Sequence, residues 1–307
     1  MTKIARREFI AASAATIAGL ACSRSALSSD APKLPLAFST LGCPAWDWAK
    51  VLDSAQSDGF AAIELRGLKG NMDLPSLLEF TPDAIPQRKQ ELAAHNLKLS
   101  CVSSSAELHT KDPAARARAL ADAKRFIDLA SALGAPYVRV FGNKIDGPKE
   151  EVMARVVAGL QELGGYAGSR DVIVIIESHG DFVDSPTLKT LLTRADSQNV
   201  GLLWDAHHTF AAGHEEPEHT VQELGMWIRH THLKDSVPDG KDRKYVQTGA
   251  GDVPVERQVL ALRKIGYKGY FCFEWEKVWH PDLMPPEEVF PQYVKVVGGY
   301  LQEPLKS

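Results

Sequence analysis

Four ionisable side chains stand at the ends of four apolar runs, and together their types suit one task. Glu177 follows Val172-Ile173-Val174-Ile175-Ile176, and Asp205 lies in Trp204-Asp205-Ala206-His207-His208. His232 lies in His230-Thr231-His232-Leu233-Lys234-Asp235, and Glu274 follows Phe271-Cys272-Phe273. A run of β-branched apolar residues such as Val172–Ile176 reads as a strand buried on both faces, as in parallel sheets. Where such a strand turns ionisable at its C-terminal end, parallel α/β enzymes place their chemistry, because the loops there form the mouth of the site. If these strands close into a barrel, alternate residues face inward, and one end-of-strand side chain from each strand can reach a common point on the axis. Three carboxylates around one point repel one another unless a cation lies between them. A single divalent metal ion supplies that cation, with Glu177, Asp205, His232 and Glu274 as its ligands. Three oxygen ligands and one imidazole nitrogen favour Mn²⁺, Mg²⁺ or Co²⁺, and Zn²⁺ is also compatible.

Several neighbours share the parity of these residues. Glu276 lies two positions after Glu274 and takes its place as ligand if the last strand runs longer. His179 has the parity of Glu177 and is placed to bind a sugar hydroxyl. Arg139 and Phe141 share a face of the Tyr137–Phe141 run; Arg139 either binds substrate or pairs with Glu64 inside the barrel. Trp279 either stacks on a sugar ring or packs in its loop. Cys101 and Cys272 read as inert core residues.

The elements that must position these groups alternate regularly. Strand-like segments fall at Leu36–Thr40, Ala62–Arg66, Leu97–Ser103, Tyr137–Phe141, Val172–Glu177, Val200–Asp205, Ile228–His232 and Tyr270–Glu274. Helical patterns lie between them. Asp112-Pro113 supplies an N-cap and a first-turn proline for Ala114–Leu133, whose Leu120, Ala123, Ile127 and Ala130 recur at helical spacing. Thr81-Pro82 opens a helix through Ala94, and Pro148 one through about Tyr166. Ser185-Pro186 opens a helix through Arg194, Pro254 one through Ile265, and Pro285-Pro286 the last one, to near Leu301. Gly134, Gly164 and Gly266 fall where helix C-caps belong. Eight strand–helix repeats after the N-terminal segment predict an α/β fold, a closed (β/α)8 TIM barrel. A doubly wound open sheet is disfavoured because no Gly-x-Gly-x-x-Gly turn follows an early strand.

The strand-end residues, with His208 three positions after Asp205 and the His232-Leu233-Lys234-Asp235 run, resemble the xylose-isomerase-like sugar phosphate isomerase/epimerase superfamily. The resemblance covers about Leu36 to Leu301. In ketose 3-epimerases of that superfamily the equivalent four residues bind one metal, and the two glutamates also exchange the substrate proton. The resemblance therefore implies that Glu177 and Glu274 are both ligands and catalytic acid/base groups. It implies that Asp205 and His232 are ligands, and that His208 contacts substrate or the ligand shell. The chain departs from the epimerases after the metal histidine, where they carry an arginine and this chain reads Ser236-Val237-Pro238-Asp239-Gly240, with Lys241 and Arg243 later.

The N-terminal residues differ from the rest. Lys3, Arg6 and Arg7 precede an Ala-rich, mildly apolar stretch that ends near Ala21-Cys22, the layout of an export signal. Arg6-Arg7-Glu8-Phe9-Ile10 resembles a twin-arginine leader, which implies export in the folded state to the periplasm. Gly19-Leu20-Ala21-Cys22 loosely resembles a lipoprotein cleavage site, so Cys22 is a candidate lipid anchor. Residues 1–33 are thus expected to be an export signal and linker, and 34–307 a single catalytic barrel. The apolar stretch is too short to remain as a membrane span, so no transmembrane segment is expected in the mature chain. The 307 residues carry a formal charge of -4, and this acidic balance argues against a nucleic-acid partner. Without Cys22 the four cysteines leave an odd three, which implies no disulfide framework.

The expected activity is a divalent-metal-dependent isomerase or epimerase of a sugar or keto-sugar, acting through a metal-bound enediolate, with a small carbohydrate as substrate. The alternative at the same site is a lyase or hydratase acting on 3-keto sugars or glycosides. A non-catalytic carbohydrate-binding barrel is the alternative from another class. A three-zinc endonuclease, also found in the superfamily, needs more histidines and a basic groove. Sequence leaves open the substrate, the metal, the oligomeric state and the choice between Glu274 and Glu276.

Overall fold

A computed structural model describes residues 33–305, so the expected leader with Arg6, Arg7 and Cys22 lies outside the described residues. Ten strands follow in chain order: β1 (Leu36–Ser39), β2 (Ala62–Leu65), β3 (Lys98–Glu107), β4 (Tyr137–Asn143), β5 (Ile173–Gly180), β6 (Val200–Asp205), β7 (Ile228–Leu233), β8 (Asp235–Asp239), β9 (Asp242–Val246) and β10 (Phe271–Phe273). Eight of them close into a parallel barrel in the order β1-β10-β7-β6-β5-β4-β3-β2. The predicted TIM barrel is therefore present, with the expected strands.

The helices in chain order are α1 (Trp48–Asp58), α2 (Ile85–Ala94), α3 (Pro113–Leu133), α4 (Lys149–Gly168), α5 (Ser185–Ala195), α6 (Ala206–Ala211), α7 (Pro217–Leu224), α8 (Val255–Lys264) and α9 (Pro286–Gln302). Asp112 caps α3 by accepting the Ala115 N–H at 2.7 Å, and Gly134 ends it in the left-handed region at φ 81°. One predicted cap is corrected. Gly164 lies inside α4, which continues to Gly168. A Cβ at Gly164 would come within 2.9 Å of Val200 Cγ2, so the glycine lets the helix approach β6 closely. The Thr81-Pro82 start is also corrected, because regular helix begins at Ile85 after a turn.

Most of the apolar core lies between the strands and the helices, where Phe38, Phe126, Val140 and Trp204 are fully or almost fully buried. Among the described residues the barrel interior holds two small apolar clusters, one around Ala37, Ala62 and Cys272 and one around Cys101, Ile175 and Leu203. The rest of the buried inward-facing set is polar, and this includes Glu64, Arg139, His230 and His232. A parallel barrel normally fills its interior with branched apolar side chains. Here that filling is given up for charge, which marks the interior as functional.

The antiparallel hairpin of β8 and β9 was not expected from the sequence. It turns at Gly240, with φ 64°, and Lys241. Its base is fastened by Asp235, whose carboxylate accepts backbone N–H groups of Ser236, Gly249, Gly251 and Val253 at 2.8 to 3.2 Å. The hairpin brings Tyr245 to the rim of the barrel, where its hydroxyl donates to Glu276 Oε1 at 2.9 Å.

Candidate active site

The floor of the site is Glu64, fully buried on β2. Its Oε1 accepts from Ser39 Oγ at 3.1 Å and Ser103 Oγ at 3.0 Å, and its Oε2 from His230 Nε2 and His232 Nε2 at 2.8 Å each. Burial alone would raise the Glu64 pKa, but the two histidines hold it well below the usual carboxylate range. The Nε2–H of His232 is committed to Glu64, so its Nδ1 is the nitrogen left to face the cavity. That Nδ1 has no hydrogen-bond partner and lies 3.1 Å from Glu274 Oε1 and 3.6 Å from Glu177 Oε1. Burial would lower the His232 pKa, but Glu274, Glu64 and Glu177 push it well above the ordinary histidine value.

Asp205 works in two directions. Its Oδ1 accepts the backbone N–H groups of His207 and His208 at 3.0 Å each, which caps the short helix α6. Its Oδ2 takes the Lys234 ammonium at 2.6 Å and lies 3.2 Å from His208 Nδ1. Burial opposes its charge, yet His208 and Lys234 bring its pKa down to about 2. The carboxylate is therefore ionised at neutral pH.

The four residues chosen from sequence come together. One ligand atom from each of Glu177, Asp205, His232 and Glu274 lies within 4.8 Å of all the others, in a fully buried group. Strand register explains how: Asp205 pairs with His232 across β6–β7, and His232 with Cys272 across β7–β10, so Glu274 falls just past the pairing at the rim. Glu276 stands outside this group, where it accepts from Tyr245 and pairs with Lys234 at 2.9 Å.

Lys234 is fully buried and binds Asp205, Glu274 and Glu276. These carboxylates outweigh its burial and hold it protonated, well above the usual lysine pKa. Arg139 places its Nε 3.2 Å from Glu177 Oε2, in ion-pair range but off hydrogen-bond geometry, with its guanidinium 3.9 Å over the Phe141 ring. Of the two sequence alternatives, the Arg139–Glu64 pair is not formed, because Glu64 is filled by serines and histidines. Around the ligand group, four carboxylates (Glu177, Asp205, Glu274 and Glu276) face two contacting cations, Lys234 and Arg139. With the His232 charge set against Glu64, two negative charges remain, next to the His232 Nδ1 atom that has no hydrogen-bond partner. That donor set and that charge fit one divalent cation.

Above the group opens a cleft of about 220 Å³, lined in part by Arg66, Arg139, His179, His208, Glu276 and Trp279. It sits at the C-terminal ends of the strands, as the barrel architecture leads one to expect. The substrate candidates His179, His208 and Arg139 all line it. His208 Nδ1 lies 3.1 Å from the Ser178 carbonyl, a contact that requires Nδ1–H. His179 Nδ1 lies 3.1 Å from Asn143 Oδ1, and burial lowers its pKa. Trp279 is 55% exposed at the mouth, so it is not the packed loop tryptophan that was the other sequence reading.

Two residues of the site went unassigned in the sequence. Lys234 was visible in the His232-Leu233-Lys234-Asp235 run, and its parity with His232 was a signal that it points inward. Arg66 ends the second strand expected from sequence, in phase with Glu64, and lies just past β2 in the structure, which marks it the same way. Cys101 and Cys272 are buried with free thiols, in keeping with their reading as core residues. Among the described residues no helix is long and apolar enough to cross a membrane.

Comparison with known proteins matches residues 52–296 to a family model described as xylose isomerase-like TIM barrel. No curated protein sequence matches the chain. Solved structures share the fold. An IOLI protein with a bound zinc atom aligns with a TM-score of 0.73 and 19% identity, covering 88% of this chain and 100% of its own. A D-psicose 3-epimerase in the presence of D-fructose gives 0.71 and 16%, covering 88% and 100%. The probable 3-DHS dehydratase AsbF from Bacillus anthracis gives 0.70 and 16%, covering 86% and 99%.

Proposed function

The chain belongs to the xylose isomerase-like TIM barrel family, and from that premise we propose that it is a divalent-metal-dependent isomerase or epimerase of a sugar or keto-sugar. The observation that carries this reading is the buried convergence of Glu177, Asp205, His232 and Glu274 within 4.8 Å, open to a cleft at the strand ends. These four residues would hold the ion, and Mn²⁺, Mg²⁺, Co²⁺ and Zn²⁺ all suit the donors. When bound, such an ion supplies Lewis-acid polarisation of a substrate carbonyl.

The residues themselves do the rest. Glu177 is the proton acceptor: burial would raise its pKa, but Arg139 and His232 keep it below the ordinary value and hence ionised. It removes and keeps the proton next to the carbonyl, and Glu274 returns one that it draws from the Lys234 ammonium it binds, with solvent restoring both groups afterwards. Glu64 and Lys234 set the orientation of His232, Asp205 and Glu274. His179 and His208 supply polar contacts to sugar hydroxyls, and Trp279 an exposed aromatic face.

A specific observation also favours the lyase or hydratase alternative. The His179 and His208 rings meet edge to face at 5.0 Å beside the carboxylates, where an imidazole could protonate a leaving hydroxyl. One experiment separates the readings. A panel of ketoses and 3-keto-glycosides is incubated in D₂O with metal-reconstituted protein and followed by NMR. Deuterium entering the carbon next to the carbonyl, and stopping when EDTA strips the protein, supports the isomerase. Loss of water or of an aglycone supports the lyase. No exchange and no product with any member contradicts both. The proposal includes export through the Arg6-Arg7 leader, which fractionation of cells making the full chain tests.

A further inference from the structure

The cleft holds a guanidinium with no acidic partner. Arg66 is 6% exposed, and no carboxylate oxygen of the described residues lies within ion-pair distance of it. Among the described residues its side chain has a single contact in hydrogen-bond range, a weak one from Nη1 to Met72 Sδ at 3.6 Å. A desolvated charge in that situation is costly unless a ligand completes it.

Its position is nonetheless built. The Arg66 N–H donates to Thr40 Oγ1 at 2.9 Å, and the Thr40 hydroxyl donates to the Gly67 carbonyl at 2.6 Å. Gly67 takes φ 146°, and a Cβ there would come within 2.8 Å of Met72 Sδ. A tight turn at Lys69 and Gly70, both at positive φ, brings Met72 back over this point. Glycine at 67 is therefore needed for the thioether to pack beside the guanidinium.

A second, independent observation comes from Arg139 on the same cleft wall. It is 1% exposed, yet its Nε and Nη1 have no hydrogen-bond partner. The plainer explanation is that both arginines simply neutralise the carboxylate group. Lys234 and Arg139 already contact Glu177, Asp205, Glu274 and Glu276, whereas Arg66 contacts none of them. Of the other acids lining the cleft, Glu276 is occupied by Lys234 and Tyr245, and Glu107 lies 3.7 Å from His109.

We infer that Arg66 and Arg139 form an anion-binding subsite, so that the substrate is a sugar or keto-sugar bearing a carboxylate or a phosphate rather than a neutral one. This rests on the preceding reading of the cleft as the substrate site. The planar forks of two arginines suit bidentate contact with either group.

The test is equilibrium binding to Mn²⁺-loaded full-length protein by calorimetry, using matched probes. D-glucose is compared with D-glucuronate, D-fructose with 2-keto-D-gluconate, and D-fructose with D-fructose 6-phosphate. At least one acidic member should bind about tenfold or more tightly than its neutral match. The carboxylate and phosphate arms distinguish the two anion types. Arg66→Met should abolish that margin and Arg66→Lys retain part of it, with thermal melts confirming that both variants fold. The inference is overturned if neutral sugars bind as well as their acidic matches, if no acidic probe binds, or if Arg66→Met leaves the margin intact. Should Arg66→Met fail to fold, Arg66→Lys and Arg66→Gln carry the same comparison. Deuterium exchange with neutral ketoses but no anion preference would sink the subsite and leave the isomerase. Anion preference without exchange in any ligand would do the reverse.

Discussion

His232 Nε2 lies 2.8 Å from Glu64 Oε2, inside a barrel interior from which water is excluded. This contact turns the ring so that Nδ1, and not Nε2, meets Glu177 and Glu274. A carboxylate behind a ligating imidazole fixes its tautomer and raises its basicity. Glu64→Gln is therefore expected to weaken divalent-metal affinity by about 10–100-fold. Competition with a fluorescent chelator measures this, and an unchanged affinity would remove Glu64 from the account.

Lys234→Met takes away the one ammonium shared by Asp205, Glu274 and Glu276. Breaking a buried ionic cluster from one side costs about 3–5 kcal/mol, because the partner charges are left uncompensated. The metal-free variant should lose stability on that scale in urea unfolding. Mn²⁺ should then restore more stability to the variant than it adds to the parent chain, since the ion offsets the same carboxylates. Equal gains in both would contradict this reading of Lys234.

His207 gives a pH signature. It is buried, its Nε2 lies 2.8 Å from Ser236 Oγ, and burial followed by the Lys234 charge lowers its pKa to about 3 from 6.5. Between these values the unfolded chain takes up a proton that the folded chain refuses. Stability due to this group is therefore complete above about pH 6.5 and lost as pH falls toward about 3, at up to about 1.4 kcal/mol per pH unit. His207→Gln should flatten that slope in urea midpoints measured from pH 7 to pH 4. An unchanged slope would place the acid sensitivity elsewhere.

Sequence parity alone left Glu274 and Glu276 interchangeable, but their surroundings are different. Glu274 Oε1 lies 3.1 Å from His232 Nδ1, while Glu276 is held by Tyr245 and Lys234. Glu274→Gln should abolish metal binding, whereas Glu276→Gln should leave metal affinity within about tenfold of the parent. Calorimetric titration with Mn²⁺ compares the two, and the opposite ranking would reassign the ligand.

What could be read in the sequence follows from what one-dimensional patterns encode. Strands such as Val172–Ile176 are apolar throughout because both faces are buried, so the barrel and its four ionisable strand ends stood out. Depth and partnership left no such trace. Glu64 and Arg139 both point inward, but only strand stagger decides that Glu64 meets His230 and His232 while Arg139 meets Glu177. Lys234 and Arg66 were overlooked because a search for metal donors passes over cations, although the same alternation placed them inside. The β8–β9 hairpin was missed because its strands are short, polar and half-exposed, and only Asp239-Gly240 signalled the turn. Gly164 was taken for a helix end because its real constraint, contact with Val200, is distant in sequence.

Everything proposed for this chain depends on a single ion among Glu177, Asp205, His232 and Glu274. The most direct measurement is the number of divalent ions bound per chain after reconstitution with Mn²⁺, by elemental analysis, for the parent and for His232→Ala and Asp205→Asn. The account predicts one ion in the parent and none in either variant. An ion-free parent, or variants that keep a full ion, would contradict it.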